Sequence, residues 1–380
     1  MLLSAKYSPI PQIINDSSAF GQEYSENILP LGLSFYALQA ISLLIEINKR
    51  RYSSKISFKE VSLFCGFFPV SIAGPIHRPD QLIPQFTSPK SIDTSNLHIG
   101  IKTLIFGFIC KLIVADKLAL LVDPVFSNLQ DHNGFLVYSS TILYSLQIYF
   151  DFWGYSLIAI GLGKCLGYEI SINFRNPYAS KSYQEFWHRW HISLSKWLRD
   201  YVYIPLGGRR RGPIMFVLSI CVTFLLSGVW HGISINFILW GAIHAVLFLL
   251  DNILVNVTQE KPLIPYRKLL FLLTIPFTWL IFRFEELDTQ LAVLNSIFNF
   301  SGWSISQAMI YFGSGINLFW ITLSVSIMLI AHSKFIRQRI ESAPQTRRAM
   351  IMDCVLQTAG MLLLILVGDI GSRQFLYFSF

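Results

Sequence analysis

Charge is scarce in this sequence. Only 14% of its 380 residues are Asp, Glu, Lys or Arg, while 53% are apolar. Soluble domains carry nearer a quarter charged residues, so an ordinary water-soluble enzyme is excluded. Cysteine is sparse as well. Cys65, Cys110, Cys165, Cys221 and Cys354 each stand alone in an apolar stretch, with no C-x-x-C pair. They read as small hydrophobes rather than as a disulfide framework or a zinc site. No G-x-x-x-x-G-K-[ST] loop is present, nor a G-x-S-x-G elbow, nor H-E-x-x-H. Those gaps argue against a P-loop pump, a serine hydrolase and a zinc protease. Carboxylates paired as in glycosidases, internal repeats, low-complexity tracts and interdomain linkers are also missing. Residues 1–27 are too polar for a secretory signal peptide.

Long apolar runs are what the chain has instead. Eight approach the ~20 residues needed to span a bilayer. They are 29–47, 99–122, a long run within 134–167, 213–230, 233–255, 266–282, 315–331 and 352–368. Residues 58–75 are apolar but broken by Gly66, Pro69, Gly74 and Pro75, which predicts a broken or re-entrant helix. Residues 134–167 are too long for one simple span and too short for two. Asp151 and Gly154 near their middle predict a bent helix with an interior carboxylate. The expected fold is therefore all-α: a polytopic transmembrane helical protein with an interfacial or re-entrant segment. The formal net charge of +8 fits the positive-inside bias of membrane proteins better than nucleic-acid binding.

The chemistry-bearing residues cluster in residues 173–212, NFRNPYASKSYQEFWHRWHISLSKWLRDYVYIPLGGRRRG. Phe186, Trp187, Trp190, Leu194 and Trp197 alternate with Glu185, Arg189, Lys196 and Arg199, as on an amphipathic interfacial helix. His191 then lies one turn from His188, facing the tryptophans. His231 follows the run 213–230 and opens a tight turn flanked by glycine. An ionisable side chain at the edge of a membrane core is costly, so it is a functional candidate by default. Imidazole titrates near neutral pH, which suits proton transfer. His244, inside the next run, is a weaker candidate on the same ground. A metal shared by His188, His191 and His231 is the rival use, without the usual ligand spacing behind it. Arg209, Arg210 and Arg211 read first as anchors to anionic lipid.

Several ordered blocks resemble the membrane-bound O-acyltransferase family, in its alginate O-acetyltransferase-like branch. Leu29 to Tyr36 reads LPLGLSFY against an LPxGxSFY pattern, and Phe67-Phe68-Pro69 through Ala73-Gly74-Pro75-Ile76 against FFP…AGPI. Asp151-Phe152…Gly154-Tyr155-Ser156 resembles DFxGYSD. Phe186 to Ser195 resembles FWRRWHISLS, and Trp197 to Gly208 resembles WLRDYLYIPLGG. Trp230-His231-Gly232 matches WHG, and Gln374 to Phe380 resembles an aromatic C terminus that looks complete. Trp153 stands where a small residue is usual, Leu157 where the aspartate of GYSD is usual, and His188 where an arginine is usual.

The resemblance implies a single membrane O-acyltransferase domain over 1–380. Its motif-bearing core is 29–255, and C-terminal spans fill 256–380. The family carries further spans ahead of the LPxGxSFY block, which this sequence is expected to lack. The implied activity is transfer of an acyl group, acetyl above all, to a hydroxyl of an exported polysaccharide. His231 and His191 are the implied catalytic pair. Asp151, Trp187, Arg189, Trp190, Arg199, Asp200 and Trp230 support them or the substrates. The resemblance also implies acetyl-CoA as acyl donor, no bound cofactor or metal, and a multi-pass place in the bacterial inner membrane. The implied partners are the acyl donor, the polysaccharide acceptor, the lipid bilayer and an outer-face acetyl-transfer protein, with no nucleic acid. D-alanyl transfer to a cell-envelope polymer, a catalytically silent truncated homologue, and a transporter with histidine proton relays are the alternatives.

Lys and Arg concentrate in alternate loops: 49–55, 77–90, 173–212, 261–268 and 334–348. The loops 123–133, 228–234 and 285–290 are poor in both. The basic set should face the cytoplasm. A cysteine placed at Glu286 should react with an impermeant thiol reagent in intact cells, and one at Arg210 only after permeabilisation. The reverse pattern would invert the orientation.

Overall fold

The computed structural model describes residues 32–49, 56–91, 93–232, 234–258, 264–284, 286–331, 333, 340, 342–368 and 375–376. Outside them lie motif residues 29–31, most of the basic loop 49–55, residues 259–263 and 334–339, and most of the aromatic C-terminal run. Among the described residues all regular structure is helical. An apolar chain in lipid must satisfy its backbone N–H and C=O groups internally, and a helix does so within one segment.

The chain divides into two compact units, Met1–Ser88 and Pro89–Phe380. The first holds α1 (Leu33–Asn48), α2 (Phe58–Gly66), α3 (Phe68–Ser71) and α4 (Pro79–Thr87). The break expected in residues 58–75 falls at Phe67, which is extended, with Pro69 in the first turn of α3. α2 starts with a reciprocal cap: Ser57 accepts from the Glu60 amide, and Glu60 accepts from the Ser57 amide.

The second unit runs α5 (Thr94–Phe108), a π-helical segment Ile109–Ala115, α6 (Asp116–Ser127) and α7 (Gly134–Cys165). After the polar block come α8 (Tyr183–Trp187), α9 (Ile192–Leu198), α10 (Pro213–His231) and α11 (Ile235–Thr258). The remainder is α12 (Ile264–Arg283), α13 (Leu287–Phe298), α14 (Ile305–Phe312), α15 (Gly315–Ala331) and α16 (Arg347–Val367).

Three of these helices are long and apolar enough to cross a membrane: α10, α11 over Ile235–Val255, and α16. α14 and α15 meet at 87° and make a fourth crossing if taken as one span. The other predicted spans are also helical, but they are shorter, broken or charged. Residues 99–122 are the clearest case: α5 passes into the π-helix, and Lys111 and Asp116 are buried there. α7 runs unbroken for 32 residues, about 48 Å of rise, and buries the expected interior carboxylate, Asp151.

α5 and α7 form the tightest pair, and the glycines of the DFWGYSLIAIG segment explain it. A Cβ on Gly154 would stand 2.8 Å from the Gly107 carbonyl oxygen and 3.0 Å from the Lys111 amide. Gly161 faces Gly100 in the same way. Small residues let helix backbones approach where lipid supplies no hydrophobic drive between helices. Gly154→Val should therefore cost about 1–3 kcal/mol through overpacking. Gly66→Ala, with open space around its Cβ position, should stay within about 0.5 kcal/mol of wild type. Thermal unfolding of the detergent-solubilised proteins checks both. Equal midpoints for the two variants would remove the glycine contact as the reason for the packing.

Candidate active site

The polar block does not form the single amphipathic helix its spacing predicts. α8 ends at His188, and His191 adopts a left-handed backbone conformation with φ 43° before α9 begins. The two histidines are therefore not stacked one turn apart on a helix face. His188 is exposed and His191 is 1% exposed.

This turn is the tip of a hairpin. At its start, the Gln184 amide donates to Asp251 on α11 at 3.1 Å, and Asp251 pairs with Arg267 on α12 at 2.7 Å. At its tip, His191 reaches Trp230 near the far end of α10, with ring centroids 6.0 Å apart. The chain then returns through α9, a π-helical turn at Arg199–Tyr203 and a last turn at Ile204–Leu206. It ends beside the start of α10. There the Gly208 amide donates to Ser219, and Arg209 lies over the Phe216 ring at 4.7 Å. α10 rises about 27 Å over its 19 residues. The block thus runs most of a helix length inward and back. It is re-entrant rather than flat on a surface.

The hairpin tip brings the two predicted catalytic histidines to one place. His231 packs against Trp230 at 4.8 Å, Trp240 at 5.3 Å and Phe282 at 4.9 Å, and is 5% exposed. Trp230 thus stands between the two imidazoles. The Nδ1 atom of His191 is 3.2 Å from the Asn173 side-chain oxygen, which also accepts from the Ser193 hydroxyl and amide. That contact makes Nδ1 the protonated nitrogen of His191. Trp187 and Trp190 are buried, at 9% and 2% exposure. Trp190 stacks near Trp279, and Trp187 touches Trp240 and His244.

Two cavities flank the hairpin. One, of about 360 Å³, has Lys196, Arg199 and Arg209 among its lining and also reaches Trp187, Phe224 and Ser227. Ser227 lies one turn before His231 on α10. His231 itself is not in that lining. The other cavity, of about 710 Å³, lies between α5, α7 and residues 169–176. Asn173 lines it, as do Trp153 and Leu157, the two departures from the family pattern in that segment.

The remaining predicted residues divide. Arg189 pairs with Glu185, and its guanidinium also donates to the Asn176 carbonyl. Arg199 donates to Asp200 at 2.7 Å, a contact that raises the guanidinium's pKa above its usual value. Arg199 lines the cationic cavity, whereas Arg189 holds Asn176 in the wall of the larger one. Asp151 has its partners elsewhere. It accepts from Lys111 at 2.6 Å and from the Leu376 amide at 2.9 Å. Lys111 also donates to Asp116 at 2.8 Å. Among the described residues no group of three or more His, Cys, Asp or Glu side chains could hold a metal ion.

The membrane-bound O-acyltransferase family pattern matches residues 20–293, which include both histidines, Trp230 and the hairpin. The chain belongs to the membrane-bound O-acyltransferase family. It is 37% identical to the probable alginate O-acetylase AlgI of Pseudomonas fluorescens over 280 residues, 74% of this chain and 56% of that protein. It is 31% identical to the peptidoglycan O-acetyltransferase of Helicobacter pylori over 73% of this chain and 58% of that protein. To the teichoic acid D-alanyltransferase of Bacillus subtilis it is 28% identical over 66% of this chain and 65% of that protein. The chain spans somewhat over half the length of the O-acetylating relatives. Membership in this family sets aside the transporter alternative.

Sequence reasoning did not find Lys111, Asn173 or the Arg283–Asp123 pair. Lys111 had one available signal, a lone lysine inside an apolar run. It should be essential for folding, because Lys111→Met leaves two buried carboxylates facing each other. Loss of one partner from such a group costs about 3–5 kcal/mol. Lys111→Met combined with Asp116→Asn and Asp151→Asn should recover much of that loss. Unfolding midpoints in detergent measure both, and a single variant as stable as wild type would show that the triad contributes nothing.

Proposed function

We propose that this chain transfers an acyl group, acetyl above all, from an activated thioester to a hydroxyl of an exported polysaccharide. The observation that carries the reading is the convergence of His191 and His231 on Trp230. Two histidines forty residues apart are buried at one point by a hairpin that has little other reason to turn there.

His231 acts as general base on the acceptor hydroxyl. As the proton moves to the imidazole, the hydroxyl oxygen attacks the acyl carbonyl carbon and a C–O bond forms. The C–S bond then breaks, and His231 returns the proton to the departing thiolate. Such acid–base assistance contributes roughly 10²–10⁴ in rate. His191, held by Asn173, orients Trp230 and the reacting groups.

The donor is acetyl-CoA. Lys196, Arg199 and Arg209 suit its phosphates, and the arm behind them fits the apolar passage toward Ser227. From Phe216, beside Arg209, to Ser227 the helix rises about 16 Å. With basic loops in the cytoplasm of a bacterial inner membrane, the donor comes from inside. The acceptor then reaches the histidines from the outer side, where a partner protein could relay or receive the acetyl group. The higher identity to the O-acetylating relatives supports acetyl transfer over D-alanyl transfer.

Cells with and without the gene should differ in alkali-labile acetyl esters on a surface polymer. His231→Ala should abolish those esters while leaving the protein in the membrane at normal abundance. His191→Ala should reduce them strongly. Wild-type ester content with His231→Ala would end the general-base assignment, and no ester difference between gene-positive and gene-negative cells would end the reading as a whole.

A further inference from the structure

His244 lies directly behind the inner wall of the cationic cavity. Trp187 lines that cavity and meets the His244 ring edge to face at 5.0 Å. Phe224, also in the lining, touches Trp187 at 5.3 Å and stacks near His244 at 6.3 Å. His244 is fully buried, and neither ring nitrogen has a hydrogen-bond partner among the described residues. The indole N–H groups of Trp187 and Trp240 are buried without a partner as well. Leaving a buried donor or acceptor unmatched is unfavourable, and most buried polar groups in proteins are matched. Here three side chains with that defect touch one another: Trp240 meets His244 at 4.6 Å and Trp187 at 5.8 Å.

The chemistry of the set is one-sided. Each indole offers a donor and no acceptor, and a neutral imidazole offers one N–H and one lone pair. Such a group suits a guest with an exposed oxygen acceptor and no requirement for charge. Trp240 also touches His231 at 5.3 Å, so the imidazoles of His244 and His231 lie on one indole.

We propose that His244, with the indole N–H groups of Trp187 and Trp240, binds the carbonyl oxygen of the acyl donor arriving through the cationic cavity. His244 is then a substrate-binding residue on the donor side, and His231 serves the acceptor side. Trp187, which walls the cavity from His244, shifts to admit the acyl end. The inference rests on the donor reading above and adds the place where its carbonyl is held.

Two coenzyme A thioethers and thioesters separate the ideas. Acetyl-CoA and S-ethyl-coenzyme A differ only in the carbonyl oxygen, which the second replaces with two hydrogens. Their binding to the full chain in lipid nanodiscs, without acceptor, is read by calorimetry and by tryptophan quenching. The wild type should prefer acetyl-CoA by about tenfold, the scale of one or two hydrogen bonds. His244→Leu should bind both equally, and His244→Gln should keep part of the preference. Trp187→Phe, which removes one N–H at little change of shape, should lower it as well and serves if His244→Leu does not fold. Equal binding of the two ligands by wild type would overturn the carbonyl site while leaving the donor reading intact. A full preference in His244→Leu or, failing its folding, in Trp187→Phe would do the same. Failure of wild type to bind either ligand would instead overturn the donor reading itself.

Discussion

A charge carried into an apolar interior must find its counter-charge within the same chain, and the helix contacts of the larger unit are organised by that requirement. Lys111 on the π-helical segment holds Asp116 and Asp151, tying the α5–α6 run to α7. Asp353 on α16 accepts from Lys102 and meets His98, both on α5. Arg283 at the end of α12 pairs with Asp123 on α6 and covers the rings of Phe126 and Tyr144. Asp251 on α11 joins α12 to the first turn of the hairpin. The Asp353 and Arg283 pairings link helices that sequence order does not put side by side. In lipid, apolar surface gives little preference for one helix neighbour over another. Buried pairs with full hydrogen bonding do give one, because the mispaired alternatives strand a charge.

The π-helical segment belongs to the same argument. A π turn rotates the following residues relative to a regular helix, and such turns recur where a side chain must be aimed. Here it lies at Lys111, which must reach a carboxylate on its own helix and another on α7. The Leu376 amide completes Asp151, and the Phe375 ring lies 4.7 Å from the Lys111 ammonium. The Leu376 amide and the Phe375 ring thus close over a charge buried some 265 positions earlier.

What was legible in the sequence follows from which signals are local. Apolar run length announced the helices, and Pro69 with Gly66 announced the break before α3. The Trp230-His231-Gly232 turn announced a polar group at a helix end. The hairpin was not legible. Trp187, Trp190 and Trp197 repeat at helical spacing, so a continuous amphipathic helix was the natural reading. The fold breaks it because His191 takes a left-handed conformation that its residue type rarely adopts, stabilised by Asn173 from an earlier loop. A partner eighteen residues away leaves no periodic trace. Lys111 escaped for a related reason: its two carboxylates lie five and forty positions on.

The cage around the histidines is aromatic where aliphatic packing would fill the space as well, and the difference bears on chemistry. Imidazole against an indole face or edge keeps an orientation through ring geometry. A leucine cage would hold the ring more loosely. Trp230 and Trp240 each touch His231, while Trp230 also touches His191 and Trp240 also touches His244. Three histidines are thereby fixed in sequence along one aromatic row, at depths set by the hairpin tip and by the close contact of α10 with α11. At that contact a Cβ on Gly228 would stand 2.1 Å from the Phe237 carbonyl oxygen. A larger residue there would spread the two helices that carry His231 and His244. The spacing of the imidazoles therefore depends on a position that carries no side chain at all.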